Sequence, residues 1–173
     1  MSQDELIDVV DEQGNFQKVV AKKLAHAEGL LHKCVVSEVI DSKGRWLMVL
    51  QSKSRQDAGQ YVSPVGGHVT SGESEDEALK REAFEELGLL GELKHEFVGK
   101  AIFNREVLGR KENHLFVMYR IYSDAEPVLN DESDNCAYFT EEELRHELKT
   151  HPEKFGAAFH FCVDRFFPDL ASV

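Results

Sequence analysis

Apolar positions recur along the chain at two periods, close to two and close to 3.6 residues, and the switch between them marks strands and helices. Glu5–Val10 and Phe16–Ala21 are β-rich runs flanking Asp11-Glu12-Gln13-Gly14-Asn15, which predicts a hairpin. His32–Ile40 and Trp46–Gln51, joined by Asp41-Ser42-Lys43-Gly44, predict a second. Tyr61–Val65 reads as a short strand whose Pro64 places it at an edge or a strand end, and Gly66-Gly67 reads as a loop. Ser74 and Glu77 form the S-x-x-E pattern of a capping box, and Gly88 stands where a C′ glycine ends a helix, so the central helix lies between them. Phe97–Phe103, Leu115–Tyr122 and a short Ala137–Phe139 are further strands. Thr140-Glu141-Glu142-Glu143 repeats the capping pattern and opens a helix to about Lys149. Phe155, Phe159, Cys162 and Phe166 sit at helical spacing and predict a last helix from near Pro152 to Phe167. Strands on either side of one central helix predict an α/β fold with a mixed sheet.

Composition narrows this. The 173 residues contain only 4 Pro and 12 Gly, with no linker-like stretch or repeat, so 1–173 reads as a single domain with 1–31 as a short N-terminal hairpin extension. Apolar residues at 42% and charged residues at 30% fit a folded, soluble chain. No run of 18 apolar residues is present, which predicts no membrane span, and Met1-Ser2-Gln3-Asp4-Glu5 lacks the basic start of a secretory signal. The three cysteines, Cys34, Cys136 and Cys162, are widely spaced and form no CxxC pair, which fits a reducing, cytoplasmic setting.

The formal charge of −12 argues against a nucleic-acid polymer as partner, because such binders need a basic face. It leaves room for a small phosphorylated ligand held through a cation. The acids are concentrated in residues 1–12, 72–88 and 131–147, and the rest of the chain has 13 acids against 17 bases. On a helix, Glu82, Glu85 and Glu86 share a face about 100° wide, with Ala83, Phe84 and Leu87 forming the apolar side and only the small Ala78 among the carboxylates. Like charges at i, i+3 and i+4 repel, and the helix C-terminus disfavours anions. Arg81 offsets part of this by pairing with Glu85 at i+4. Two readings follow: a solvated acidic face, or an oxygen-only site for a hard ion such as Mg²⁺ or Mn²⁺.

The surrounding segment favours the second. Gly67, Glu73, then Arg81-Glu82-Ala83-Phe84-Glu85-Glu86-Leu87-Gly88-Leu89 resembles the Nudix box, G-x5-E-x7-R-E-U-x-E-E-x-G-U with U apolar, at every defined position across 67–89. The resemblance implies an α/β/α sandwich and hydrolysis of a nucleoside diphosphate linked to another group, or a related small-molecule diphosphate. It implies that Glu82, Glu85 and Glu86, with the Gly67 carbonyl, hold the divalent ions, that Arg81 orients carboxylates and that Glu73 supports the loop through a salt bridge. Glu85, Arg81 and Glu73 are thus the catalytic candidates, with the proton acceptor one of the cluster's carboxylates or a loop residue. The ion would neutralise phosphate oxygens and lower the pKa of attacking water.

Two other stretches resemble the isopentenyl-diphosphate isomerases of the same fold: Glu5–Gly14 followed by His26-Ala27-Glu28-Gly29-Leu30-Leu31-His32, and Ser63-Pro64-Val65-Gly66-Gly67-His68. Those enzymes hold a metal with histidines and glutamates and use a catalytic cysteine and glutamate. Here Gly66 takes the cysteine's place and His114 the catalytic glutamate's, while Glu112 matches a metal glutamate and the box is intact. Hydrolysis is therefore expected over isomerisation, and a nucleotide-sensing module without catalysis is a third alternative. His32, His68, Glu112 and His114 are candidates for a second, Zn²⁺- or Mn²⁺-type site or for ordinary strand-end hydrogen bonding. Glu112 is also a candidate extra ligand for the first site. Lys53, Arg55 and Arg105, with Arg110 and Lys111 in the predicted loop before Leu115, are candidates for substrate phosphates or solvated loop residues. Trp46, Tyr61 and Phe103 stack on a base or fill the core. His95, His146, His151 and His160 follow no pattern. The N-terminal hairpin and the Phe-rich last helix are candidate homodimer contacts.

Overall fold

Two aspartates shape the first hairpins. Asp11 accepts the backbone N–H of Gln13 and Asn15 at 2.9 Å, which turns the chain between β1 (Leu6–Val10) and β2 (Phe16–Ala21). Asp41 does the same for Lys43 and Arg45 at 3.0 and 2.8 Å between β3 (His32–Ile40) and β4 (Trp46–Gln51). Such short side-chain acceptors replace strand hydrogen bonds where the backbone reverses. The computed structural model describes residues 5–171; Met1 to Asp4, part of the N-terminal acidic run, and Ser172-Val173 lie outside the described residues.

The remaining strands are β5 (Tyr61–Val62), β6 (Val65–His68), β7 (Lys94–Val107), β8 (Arg110–Tyr122) and β9 (Ser133–Phe139). β3 runs parallel to β8 from His32↔His114 to Ile40↔Tyr122, and antiparallel to β4 and β6, so the sheet is mixed as expected. Its residues alternate between two cores, as the pleat requires. Val35 and Val39 meet Ala78, Leu79, Ala83 and Leu87 of α2 (Glu75–Leu87) on one face. Cys34 and Val36 meet Leu144 of α3 (Glu141–Thr150), Phe155, and Phe159 and Cys162 of α4 (Ala157–Phe166) on the other. This is the α/β/α sandwich. The second face is closed by α5 (Pro168–Ala171), while α1 (Lys22–Glu28) packs at the edge against β8.

Several expectations change. Gly66-Gly67 is not a loop but strand, paired with Val36 and Val35, and the break falls earlier, at Ser63-Pro64. Arg105, Arg110 and Lys111 lie in β7 and β8, which extend to a tight turn at Leu108-Gly109, both with positive φ (50° and 76°). The last helix is split. Pro152–Lys154 is a 3₁₀ turn, Phe155 is extended beside Tyr61, and α4 starts only after Gly156, whose N–H donates to the Tyr61 carbonyl. The helix α1 was not predicted, being short and without a side-chain N-cap. Phe84 is 54% exposed rather than core. The sheet-facing stripe of α2 is Ala78, Leu79, Ala83 and Leu87, and that stripe carries Glu82 and Glu86 with it.

One polar group lies where nothing in the pattern announced it. Glu38 on β3 is fully buried; Ser63 Oγ donates to its Oε2 at 2.6 Å, and Oε1 has no partner. Burial pushes its carboxyl up to about 7, against the Ser63 hydrogen bond and the charge of Arg120. The folded state therefore stays protonated at pH values where an unfolded glutamate has ionised, so stability falls as pH rises from the ordinary value through about 7. Between pH 5 and pH 8 the wild type is expected to lose about 2–3 kcal/mol from this group, and Glu38→Gln to lose none of it. Urea midpoints at the two pH values check this; parallel losses in both proteins would show that Glu38 ionises normally.

Candidate active site and a buried histidine cluster

The local sequence fixes where α2 begins and ends. Ser74 Oγ accepts the Glu77 N–H at 3.1 Å while the Glu77 carboxylate accepts the Ser74 N–H at 2.9 Å, and Gly88, at φ 68°, returns its N–H to the last turn. Acidic Glu75, Asp76 and Glu77 suit the positive end of the helix dipole. Between these ends α2 comes down on β6. A Cβ at Gly67 would overlap the Glu82 carboxylate, and the Gly66 N–H donates to Glu86 at 2.7 Å. Only glycine at 67 lets the helix carboxylate approach so close to a strand.

Arg81 ties this contact to the loop before the helix. Its Nε and Nη2 donate to the two oxygens of Glu73 at 2.8 and 2.9 Å, Nη2 also to the His68 carbonyl at 2.9 Å, and Nη1 to Glu82 at 2.7 Å. Glu73 also accepts from the Thr70 N–H and hydroxyl at 3.0 Å. The salt bridge that the box implied for Glu73 is thus the Arg81 fork. The expected Arg81–Glu85 pair is the weakest of these contacts, at 3.4 Å, and Glu85 faces solvent.

The electrostatics favour a cation. Burial, then the neighbouring charges of Glu85 and Glu132, push the Glu82 carboxyl up to about 7 against the pull of Arg81. Burial, then Glu82, Glu132 and Glu85, push Glu86 up to about 9 despite the Gly66 N–H. Carboxylates held protonated by burial and mutual repulsion ionise when a positive charge joins them. The donor set is oxygen only and sits on a rigid helix against a glycine strand, which fits a hard divalent ion. Glu132 was missed in sequence because it lies in the segment joining β8 and β9, within a longer acidic run and outside any motif. Its backbone and that of Asn130 bring it beside α2: Asn130 Nδ2 donates to the Glu85 carbonyl at 3.0 Å.

The other candidates are placed as follows. Arg55 pairs with Glu132 at 2.6 Å, at the edge of the carboxylates, and Lys53 is exposed in the adjoining loop. Arg105 is committed within the protein, with both Nη atoms on Asp57 (3.1 and 3.2 Å) and Nε on Glu112 at 3.0 Å. Glu112 is buried, and its second oxygen takes Arg110 at 2.8 Å. Both Glu112 oxygens are therefore neutralised by arginines, and the residue joins neither cluster of candidate ligands. Trp46 and Phe103 pack in the core, Phe103 stacked on Phe116. A cleft of about 450 Å³ opens at the other end of α2, lined by Asp8, Phe16, Lys33, Glu75 and Tyr119, and does not reach Glu82 or Glu86.

On the opposite face of the sheet four imidazoles meet. His26 from α1, His32 opening β3, His68 ending β6 and His114 from β8 bring one ring nitrogen each to within 4.8 Å of one another, the one such group of ligand-type side chains among the described residues. Glu112, expected in this set, is replaced by His26. The sequence displayed His26 within a matching segment but gave no spacing that joined it to the others. Burial is the leading cause holding all four imidazoles below the ordinary range, His26 at about 4, so they are neutral at pH 7.

Comparison with known proteins agrees with this geometry. The NUDIX domain matches residues 31–159. Isopentenyl-diphosphate Delta-isomerase 1 of Aromatoleum aromaticum is 28% identical over 161 residues, covering 91% of this chain and 89% of that protein. An uncharacterised Nudix hydrolase of Streptomyces coelicolor is 38% identical over 109 residues, covering 60% of this chain and 58% of the relative. Among solved structures, DR0079 from Deinococcus radiodurans gives a TM-score of 0.74 at 22% identity, covering 94% of this chain and 99% of that one. A MutT protein from Methanosarcina mazei gives 0.64, also at 22%, over 82% and 96%. The structural likeness speaks for the fold alone.

The Gly67 contact is directly testable. Gly67→Ala keeps an allowed strand conformation but drives the Glu82 carboxylate off β6. It is expected to weaken Mn²⁺ binding at least about tenfold, roughly the loss of one charged ligand's worth of interaction. Mn²⁺ titration followed by electron paramagnetic resonance reads the change; unaltered affinity would remove Glu82 from the ion site.

Proposed function

The chain belongs to the NUDIX domain family, and on that footing we propose that it hydrolyses a diphosphate linkage in a nucleoside diphosphate derivative or similar phosphorylated small molecule, with Mg²⁺ or Mn²⁺. The observation that carries this reading is the joint placement of Glu82 over Gly67 and Glu86 on the Gly66 N–H, with Arg81 clamping Glu73 and Glu82. A pure binding module has no need of carboxylates held at such electrostatic cost.

A bound divalent ion supplies charge neutralisation of the diphosphate and a more acidic water. The chain's residues do the rest. Glu82 and Glu86, with the Gly67 carbonyl, would hold the ion. Arg81, through Glu73 and the His68 carbonyl, keeps Glu82 from swinging away and so fixes the line of approach. Glu85, open to solvent and only loosely held by Arg81, is our candidate for taking the proton from the attacking water. Lys53, exposed in the loop, and Arg55, paired with Glu132 at the edge of the carboxylates, are our candidates for meeting a substrate phosphate. Arg105, paired with Asp57 and Glu112, is not part of this reading.

Isomerase chemistry is the second reading, favoured by the near full-length likeness to the isomerase of Aromatoleum aromaticum. The structure adds that Cys34 faces His68 across the β3–β6 pairing, closer than its sequence position suggested. Cys34 is buried, however, with its thiol pushed well up by that burial, while Gly66 and His114 stand where the isomerase acid and base residues would be. The proposal also places the protein in the cytoplasm; no helix among the described residues is long and apolar enough to cross a membrane. A homodimer through the N-terminal hairpin is part of the same reading, since Leu6, Phe16 and Val19 are exposed there.

A panel of dinucleotides, nucleotide sugars and nucleoside di- and triphosphates, assayed with Mg²⁺ and Mn²⁺ for phosphate or nucleotide release, is expected to reveal turnover. Glu86→Gln is expected to lower kcat by about 10²–10³-fold. Full activity in that variant, or no turnover by wild type on any substrate, would defeat the proposal. Conversion of isopentenyl to dimethylallyl diphosphate by wild type would establish the second reading instead.

A further inference from the structure

We propose that the trough between the β1–β2 hairpin and the start of α2 binds a zwitterionic, amino-acid-type ligand with an apolar or aromatic side chain. Bound there, the ligand acts as an effector of the carboxylate face of α2. Binding is independent of the hydrolase reading; the effector role rests on it.

Long-range contacts build the trough. The cleft of about 450 Å³ beside the hairpin and a second of about 420 Å³ over β7 share Glu75, Asp76 and Tyr119 as walls. Both fall in the size range of small-molecule sites. Tyr119, 4% exposed, lines both, and His95 and Phe97 pack edge-on against its ring. The hairpin turn comes down at one end: a Cβ on Gly14 would stand 3.6 Å from Lys33 Cε and 4.0 Å from Lys100 Nζ.

The charges alternate along the trough. Lys33 and Lys100 meet on one oxygen of Glu75, at 2.7 and 3.3 Å, which leaves this trio with a net positive charge. Asp8 and Asp76 have no lysine or arginine partner among the described residues. Each gives one oxygen to a hydroxyl: Ser71 Oγ donates to Asp8 at 2.7 Å, and the Tyr119 hydroxyl donates to Asp76 at 3.2 Å. His95 Nε2 stands 3.8 Å from the same Asp76 oxygen. The second oxygen of Asp8 and of Asp76 accepts nothing from the described residues.

That alternation selects the ligand. A plain anion such as phosphate is disfavoured, because Asp8, Glu75 and Asp76 line the trough and acids already fill the positive end of the helix dipole. A plain amine meets two ammonium groups. A zwitterion answers both: its ammonium goes to Asp8 and Asp76 and its carboxylate to Lys33 and Lys100, with charge-assisted hydrogen bonds at each end. Phe16 and Phe97, 60% and 56% exposed, are apolar walls for its side chain.

The segment 69–74 connects the trough to the carboxylates. Ser71 joins the hairpin twice, through Asp8 and through its N–H to the Leu6 carbonyl at 2.8 Å. Two residues on, Glu73 lines the cleft and grips Arg81, which holds Glu82. A ligand bridging Asp8 and Asp76 braces both ends of this segment, so the Arg81 fork loses freedom and the carboxylate face is ordered in advance. Such preorganisation tightens ion binding, and by linkage the ion tightens ligand binding by the same factor.

The test is an amide chemical-shift titration of the full-length protein with L-phenylalanine. A Kd of about 0.1–1 mM is expected, with the shifts centred on residues 8–16 and 69–76. Hydrocinnamate, which lacks the ammonium, and phenethylamine, which lacks the carboxylate, should each bind at least about tenfold more weakly. Phe16→Ala and Lys100→Gln, both at exposed positions that the fold tolerates, should weaken L-phenylalanine at least about fivefold. Saturating L-phenylalanine is expected to tighten Mn²⁺ at least about fivefold, read by electron paramagnetic resonance. Glu86→Gln should bind L-phenylalanine as metal-free wild type does, which separates the trough from the carboxylates. No shifts at about 10 mM, equal binding of the two analogues, unchanged binding in both variants, or tighter binding of the neutral heterocycle guanosine would overturn the site. Unchanged Mn²⁺ affinity at saturation would overturn the effector role. Absence of Mn²⁺ binding in wild type would defeat the hydrolase reading and the effector role together, while the shift titration still decides the site.

Discussion

Glu82 rests on Gly67 because a glycine strand leaves room for it, and the arrangement of the α2 face depends on that contact. With the carboxylate seated there, Arg81 reaches back to Glu73 and to the His68 carbonyl, and one turn on, Glu86 takes the Gly66 N–H. The acidic side of α2 is thereby turned inward, toward β6, rather than into water. That costs solvation, visible in the raised carboxyl groups of Glu82 and Glu86, a cost that a bound cation would offset. Arg81 compensates only part of the charge, since its fork is largely taken up by Glu73.

The parallel pairing of β3 with β8 organises what lies on either side. Successive residues of β3 face opposite layers, so Val35 looks to the carboxylate helix while His32 and Cys34 look away from it. The same alternation on β6 sends Gly67 and His68 to opposite faces. Oxygen donors collect on one side and nitrogen donors on the other, a separation that follows from a pleat and needs no intervening domain. Glu112 lies near the nitrogen side but is neutralised by two arginines, which keeps the two donor chemistries apart.

The central helix was legible because its signals are local. A capping box at Ser74 and a left-handed Gly88 set both ends within a few residues, and the structure reproduces them. Legibility failed where long-range packing decides. Phe84 fits an apolar stripe on a helical wheel, but the stripe that touches the sheet is shifted, so Phe84 is exposed and Glu82 and Glu86 go inward. Gly66-Gly67 resembles a turn until β3 offers it a full set of pairing partners. The polar tract around Arg105, Arg110 and Lys111 looked like a loop, yet β7 and β8 continue through it because Arg105, Glu112 and Asp57 neutralise one another. Glu132 and His26 lie outside any periodic pattern and reach their clusters only through the path of the chain.

The sequence by itself determined the family, the fold class and the position of the acidic box helix, because the box residues act over short spacings along one strand–loop–helix unit. The tertiary structure decided which carboxylates turn inward, that Arg105 and Glu112 pair with each other, and that four histidines from distant segments share one buried space. Those outcomes depend on which side chains lose water together, and that is set by contacts between residues tens of positions apart.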